Sequence, residues 1–293
     1  MEKQSLKLKD SALAFLLSFL LSQIAIIIAT SVVAIIFKSA GIENYQLFLQ
    51  NSIGYLILSL VMFGTMICVF LVLNKNKQNQ IFKKPTANST LFYLILAVAS
   101  FFALYPIVNC FDSLLIKCGI KLGTLTYSLT TKNYFISLLS IVILPAVVEE
   151  FIFRGLIFKG LKPYGKTFSI ITTALMFAVY HMSLSQTIYP ILFGSLLTFV
   201  MYKENNLFYC ILMHLTNNFL ALTISYFNIS LVFNSWLYIA LAIVLVCIFI
   251  SLLIVAILKQ PSQSKQPFEH DKHIWFAIIA IMFVVWIAVQ FYR

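Results

Sequence analysis

The sequence predicts an all-α integral membrane protein, a polytopic bundle of about eight or nine transmembrane helices. Three observations lead there. Of 293 residues, 61% are apolar and 10% charged, whereas a soluble domain carries about 25% charged residues. Apolar runs long enough to cross a bilayer, roughly twenty residues each, recur along the chain. The charges cluster between those runs, so the bilayer is the solvent and backbone polar groups must be satisfied within helices.

In chain order the spans read at 11–37, 51–73, 90–109, 134–158, 168–183, 188–202, 207–227, 231–258 and 274–292. The first follows Lys3, Lys7 and Lys9, like a signal peptide. Its apolar region exceeds the roughly 7–15 residues of a signal, which makes it a retained helix. The fifth and sixth are short, so they are tilted, kinked or sheltered by neighbours, and the count falls to eight if one is re-entrant. The polar stretches 74–89 and 259–273 are too short to carry a core, and Pro85, Pro261 and Pro267 punctuate them. No internal repeat shows, and residues 1–293 read as a single integral membrane domain.

The net charge of +11 suits loop lysines facing an anionic leaflet, and no basic stretch points to nucleic acid. With the N-terminus inside, 15 of the 20 Lys and Arg residues fall on the cytoplasmic side. The other 5, Lys38, Lys117, Lys121, Lys132 and Arg293, fall outside. Arginine is scarce while lysine, asparagine and isoleucine abound. That bias points to an AT-rich genome and a multi-pass protein of a bacterial plasma membrane. The cysteines, Cys68, Cys110, Cys118, Cys210 and Cys247, form no CxxC pair and support neither a zinc ribbon nor a thioredoxin-like site. Cys110 and Cys118 are near enough in sequence to meet outside; the other three fall in spans, where a buried inert thiol is usual.

The ionisable residues inside the spans carry the functional signal, because a charge at mid-bilayer costs about 3 kcal/mol on insertion scales. Glu149, Glu150 and Arg154 share the fourth span. On an α-helix Glu150 and Arg154 lie about 40° apart and one turn apart, the favourable order for an ion pair. Glu150 therefore reads as the partner that neutralises Arg154. Glu149 projects about 100° away and cannot share that partner easily. A carboxylate removed from water holds a proton more readily, which suits a general base, so Glu149 is the candidate base. Pro145 cannot bond to the carbonyl of Ile141, and should bend the helix and admit water or a polar group above the carboxylate.

His181 ends the fifth span; a lone intramembrane histidine is commonly a satisfied core group, but this one has company. His214 and Asn218 are four residues apart and present an imidazole and a carboxamide on one helix face. Neutral donors aimed at one point are what an oxyanion needs. Counted from the inner span ends at 1.5 Å per residue, Glu149 lies about 13 Å deep, His181 about 20 Å, His214 about 10 Å and Asn218 about 16 Å. Those depths permit one shared mid-membrane site.

These segments resemble the CPBP family, the CAAX protease and bacteriocin-processing family of intramembrane endopeptidases. Glu149-Glu150-Phe151-Ile152-Phe153-Arg154-Gly155 matches its first motif, Phe177 with His181 its second, and His214 with Asn218 its last. Gly194 looks like the glycine at its helix contact. The resemblance covers 134–226 as a four-helix catalytic core, leaving 1–130 and 227–293 as accessory transmembrane helices. It implies hydrolysis of a peptide bond in a membrane-anchored peptide or protein, in peptide maturation or bacteriocin immunity. By the same resemblance Glu149 and His181 activate water, His214 and Asn218 stabilise the oxyanion, and Glu150 with Arg154 support the site.

Zinc is the alternative cofactor reading, with Glu149, His181 and His214 as ligands and an open fourth position. The missing HExxH spacing favours metal-free catalysis. Two further readings differ in class: a transporter or proton relay built on the same buried groups, and a non-hydrolytic immunity scaffold. Among enzymes the rival is a Cys210 protease, with His214 four residues on as base. Glu269, His270, Asp271 and His273 read as a solvated loop.

Overall fold

The computed structural model describes residues 6–42, 44–75, 81–119, 133–184 and 186–229. The expected spans at 231–258 and 274–292, Cys247, and the loop with Glu269, His270, Asp271 and His273 lie outside the described residues. Those described are helical, with no strand among them. Helix α1 spans Leu8–Ser39, the short α2 Tyr45–Gln50, α3 Ser52–Asn74 and α4 Ala87–Lys117. Helix α5 runs through Tyr134–Tyr164, followed by α6 Lys166–Tyr180, α7 Ile188–Glu204 and α8 Leu207–Tyr226. Five of these, α1, α3, α4, α5 and α8, are long and apolar enough to cross a membrane.

The expected spans fall on these helices, but the fifth and sixth coincide with helices shorter than a membrane span, and α5 runs past the expected end at 158 to Tyr164. Helix α4 continues past the expected end at 109 to Lys117, because Asn109 and Asp112 end an apolar run without breaking a helix. The six-residue α2 was not expected. Large apolar side chains such as Ile27, Ile35 and Val72 are well exposed, as helices bathed in lipid require. Cys68 also faces outward rather than into the core, and Cys110 and Cys118 are exposed free thiols.

Helix α5 is the axis of the described bundle, and its winding changes along its length. It opens as an α-turn, widens to a π segment over Leu138–Ile143, returns to α over Leu144–Glu150, and widens again over Phe151–Ile157. In the π segments the amide reaches five residues back: Leu144 donates to Leu139, and Phe158 to Phe153. The first widening sits immediately before Pro145, which has no N–H to give an α-turn. The bend expected at that proline is thus met by a wider turn.

Two apolar clusters flank α5. One joins α1, α3, α5 and α6 through Phe15, Met66, Phe153 and Tyr180; the other joins α4, α7 and α8 through Leu96, Leu197 and Met213. Helix α1 comes very close to α5: the Ser11 hydroxyl donates to the Ile157 carbonyl at 2.8 Å. A Cβ on Gly160 would lie 2.5 Å from the Lys7 carbonyl oxygen, so only glycine fits there. The short α6 and α7 form the most extensive helix pair of the fold, and α7 is sheltered, with Phe193, Leu197, Val200 and Met201 buried. At the end where α5 finishes, residues 81–86 are stitched to the α7–α8 turn. Leu207 N donates to Ile81 O at 2.7 Å, and Asn206 exchanges bonds with the Lys83 backbone at 3.2 and 3.1 Å.

Candidate active site

The site lies where α5 and α8 pack antiparallel. Three polar contacts descend this seam: the Tyr134 and Thr223 hydroxyls at 2.9 Å, the Asn218 amide donating to Ile141 O at 3.3 Å, and His214 Nδ1 donating to Glu150 Oε1 at 2.8 Å. The middle contact answers the question raised by Pro145. The Ile141 carbonyl that the proline cannot serve is reached by a polar group, the Asn218 carboxamide.

Arg154 Nη1 donates to Glu150 Oε1 at 2.8 Å, and both side chains are fully buried. The expected ion pair therefore forms, although Arg154 lies in a π-wound segment. The guanidinium is tied down twice more. Its Nη2 donates to Gly194 O at 3.0 Å, and its Cζ lies 4.6 Å from the centroid of the Phe177 ring. Gly194 makes room for this contact, since a Cβ there would press on Phe177 Cδ1 at 3.0 Å and Arg154 Nη2 at 3.4 Å. Its expected place at a helix contact is thereby explained. Burying a charge is costly unless it is paired and hydrogen-bonded, and Arg154 has both.

Glu150 Oε1 serves Arg154 and His214 together. Because His214 Nδ1 gives its hydrogen to that carboxylate, the tautomer is fixed: a neutral His214 offers Nε2 as an acceptor, and it donates from Nε2 only as imidazolium. The sequence expectation of a neutral donor changes accordingly. Nε2 faces Glu149 Oε2 at 3.9 Å, beyond direct hydrogen bonding. Glu149 is buried at 6% exposure and makes no hydrogen bond among the described residues.

His181 caps the end of α6, with Nδ1 2.8 Å from the Phe177 carbonyl oxygen. Its ring and that of His214 both pack edge-on against Phe177, at centroid distances of 4.8 and 5.9 Å. Phe177 thus packs against both imidazoles, and no hydrogen bond links His181 to Glu149. Phe153, Phe193 and Tyr180 complete the aromatic wall. Cys210 is fully buried and donates to Leu197 O at 3.4 Å, while the His214 nitrogens point at Glu149 and Glu150. The pairing that a Cys210 nucleophile would need is not made. Among the described residues no three His, Cys, Asp or Glu side chains gather as a metal ion requires. Glu149, His181 and His214 do not fit a shared ion in this arrangement.

Two residues escaped the sequence reading. Asn217 is buried at 7% exposure, accepts from the Tyr189 hydroxyl, and donates to Asn218 Oδ1 at 3.2 Å. Tyr189, Asn217 and Asn218 thus form a chain ending on Ile141 O. The adjacent asparagines were the one available signal, since Asn217 is a second amide within an apolar span.

Apolar helices long enough to cross a membrane, gathered around buried carboxylates, a guanidinium and an imidazole, define a membrane-type helical protein with a polar centre. Residues 131–220 match the family model for the Rce1-like proteins, described as type II CAAX prenyl endopeptidase Rce1-like. The match agrees with the family resemblance read from the motifs, and it spans Glu149, Glu150, Arg154, His181, His214 and Asn218. It supports an intramembrane CAAX-type endopeptidase in general. No curated protein and no solved structure matches the chain.

Proposed function

We propose that the protein hydrolyses a peptide bond in a membrane-anchored peptide or protein, with Glu149 as base. The observation that carries this reading is the approach of Glu149 Oε2 to His214 Nε2 at 3.9 Å beside a Glu150 already committed to Arg154. A water off the line between the two atoms reaches both.

The charges suggest the working state. Glu149, Glu150 and Arg154 together leave one negative charge, and one proton on His214 closes the cluster to neutrality. Glu149 is then free to take a proton, and Nε2 has a hydrogen to give. Water attacks the scissile carbonyl carbon as its proton passes to Glu149. The oxygen that becomes negative receives hydrogen bonds from His214 Nε2 and from the Asn218 amide hydrogen not held by Ile141. Glu149 then returns the proton to the leaving nitrogen as the C–N bond breaks. His181, packed against the same Phe177 ring, borders the space for water and substrate. Glu150 and Arg154 act through His214, by holding its tautomer and orientation.

The substrates that suit this reading are peptides matured at the membrane or acted on in bacteriocin immunity, in a bacterial plasma membrane with the N-terminus inside. The test is cleavage of membrane-anchored peptides by purified protein, comparing wild type, Glu149→Gln and His181→Ala, each with and without chelator. Loss in both variants with chelator inert supports the metal-free mechanism. Loss on chelation with recovery in zinc would overturn it, as would full activity in Glu149→Gln. Absent cleavage with proton flux through wild-type liposomes would favour the relay reading.

A further inference from the structure

A group of lysines lies outside the site, at the bundle end where α5 and α7 finish and α6 and α8 begin. Lys159 and Lys162 come from the last turns of α5, Lys166 opens α6, and Lys83 lies on the stitched loop. Lys83 Nζ donates to Glu204 O at 2.9 Å, and Lys159 donates to Asn205. Glu204 is itself engaged: the Tyr93 hydroxyl donates to it at 2.6 Å, and Lys203 lies 3.6 Å away. The ammonium groups of Lys162 and Lys166 make no hydrogen bond or ion pair among the described residues. Their ammonium groups instead converge over one ring, Tyr202, at 5.5 and 6.0 Å from its centroid, with Lys166 also 4.9 Å from that of Phe199. Lys83, Lys159 and Lys162 lie within electrostatic reach of one another.

The half-buried Lys162 and Lys166 ammonium groups, drawn over one ring, repel one another, and a bound anion removes that conflict. The rings hold the lysine stems in place, so little side-chain freedom is lost on binding. We propose that Lys162 and Lys166, with Lys83 beside them, bind the phosphate of an anionic phospholipid headgroup over Tyr202. A lipid fits better than a soluble phosphate because the outer face of α6 continues the site. Thr167, Ile171 and Leu175 follow at one-turn spacing and are all exposed, giving the acyl chains an apolar track beside the headgroup. The lysine distribution of the whole sequence puts this end inside, against the anionic leaflet.

The test needs no proteolysis. Purified protein in neutral micelles is titrated with short-chain phosphatidylglycerol, and bound lipid is counted by native mass spectrometry. A parallel arm uses inorganic phosphate as competitor. Wild type is expected to retain phosphatidylglycerol over phosphatidylcholine, with inorganic phosphate at equal concentration displacing none of it. Lys162→Gln with Lys166→Gln should weaken that binding about tenfold or more, at roughly 1 kcal/mol for each lysine. Lys162→Arg with Lys166→Arg should restore it, and Lys38→Gln at the opposite end should leave it unchanged. A misfolded variant shows itself by losing phosphatidylcholine adducts as well, and the arginine pair then carries the comparison. Wild-type binding in the glutamine pair would overturn the proposal. Displacement by inorganic phosphate would also overturn it, by making the site one for soluble anions.

Discussion

Glu149 and Glu150 are neighbours in sequence and both removed from water, yet they occupy very different faces of α5. Glu150 is fully buried and accepts from both Arg154 and His214 at 2.8 Å. Glu149 makes no hydrogen bond among the described residues and faces His214 Nε2 at 3.9 Å. The comparison teaches that burial alone does not mark a reactive carboxylate. A buried charge held by a cation and an imidazole belongs to the architecture, whereas one left without a hydrogen bond can take a proton from a passing molecule. The face of Glu150 should therefore report on folding, and that of Glu149 on turnover.

The largest expected effect is on turnover. Glu149→Gln should lower kcat by about 10²- to 10⁴-fold, the usual contribution of a positioned acid–base group. Its unfolding in mixed micelles should stay close to wild type, since no hydrogen bond is lost. A variant that unfolds readily while its remaining folded fraction cleaves normally would reverse the roles of the two glutamates. On the other face, Arg154→Met leaves Glu150 buried without its cation, a defect that costs about 3–5 kcal/mol. Denaturant titration should show that loss, and a stability within 1 kcal/mol of wild type would mean that His214 alone satisfies Glu150. Gly194→Ala is smaller: the added methyl presses on Phe177 and Arg154, and overpacking of this kind costs about 1–3 kcal/mol. It should lower stability and activity together, because the same guanidinium holds the carboxylate that orients His214.

The sequence made one face of this comparison far more legible than the other. The Glu150–Arg154 pair follows from local spacing, as does a polar group drawn to the Ile141 carbonyl by Pro145, and both are seen. Helix positions followed from hydropathy, which the bilayer enforces strongly. The π windings were not legible, because the same apolar residues satisfy a bond to the fourth or the fifth residue back. Nor was the bond between His214 and Glu150, which joins groups 64 residues apart and depends on how α8 lies against α5. Tyr189 was hidden among 14 tyrosines, and only its meeting with Asn217 across two helices sets it apart.

The smallest effects sharpen the comparison by probing what surrounds Glu149 without touching it. Tyr189→Phe removes the donor to Asn217, a bond worth about 0.5–1.5 kcal/mol net. It should lower kcat several-fold with KM unchanged, since Asn218 is held less firmly but substrate contacts remain. An unchanged kcat would mean that Ile141 alone fixes Asn218. Cys210→Ser should do least of all. The thiol is buried against the Leu197 carbonyl and does not meet His214, and a serine hydroxyl can donate to the same oxygen. Activity within about twofold of wild type is expected, equivalent to roughly 0.4 kcal/mol in the barrier. A large loss in Cys210→Ser, with Glu149→Gln still active, would transfer the chemistry to the thiol and leave both glutamates as architecture.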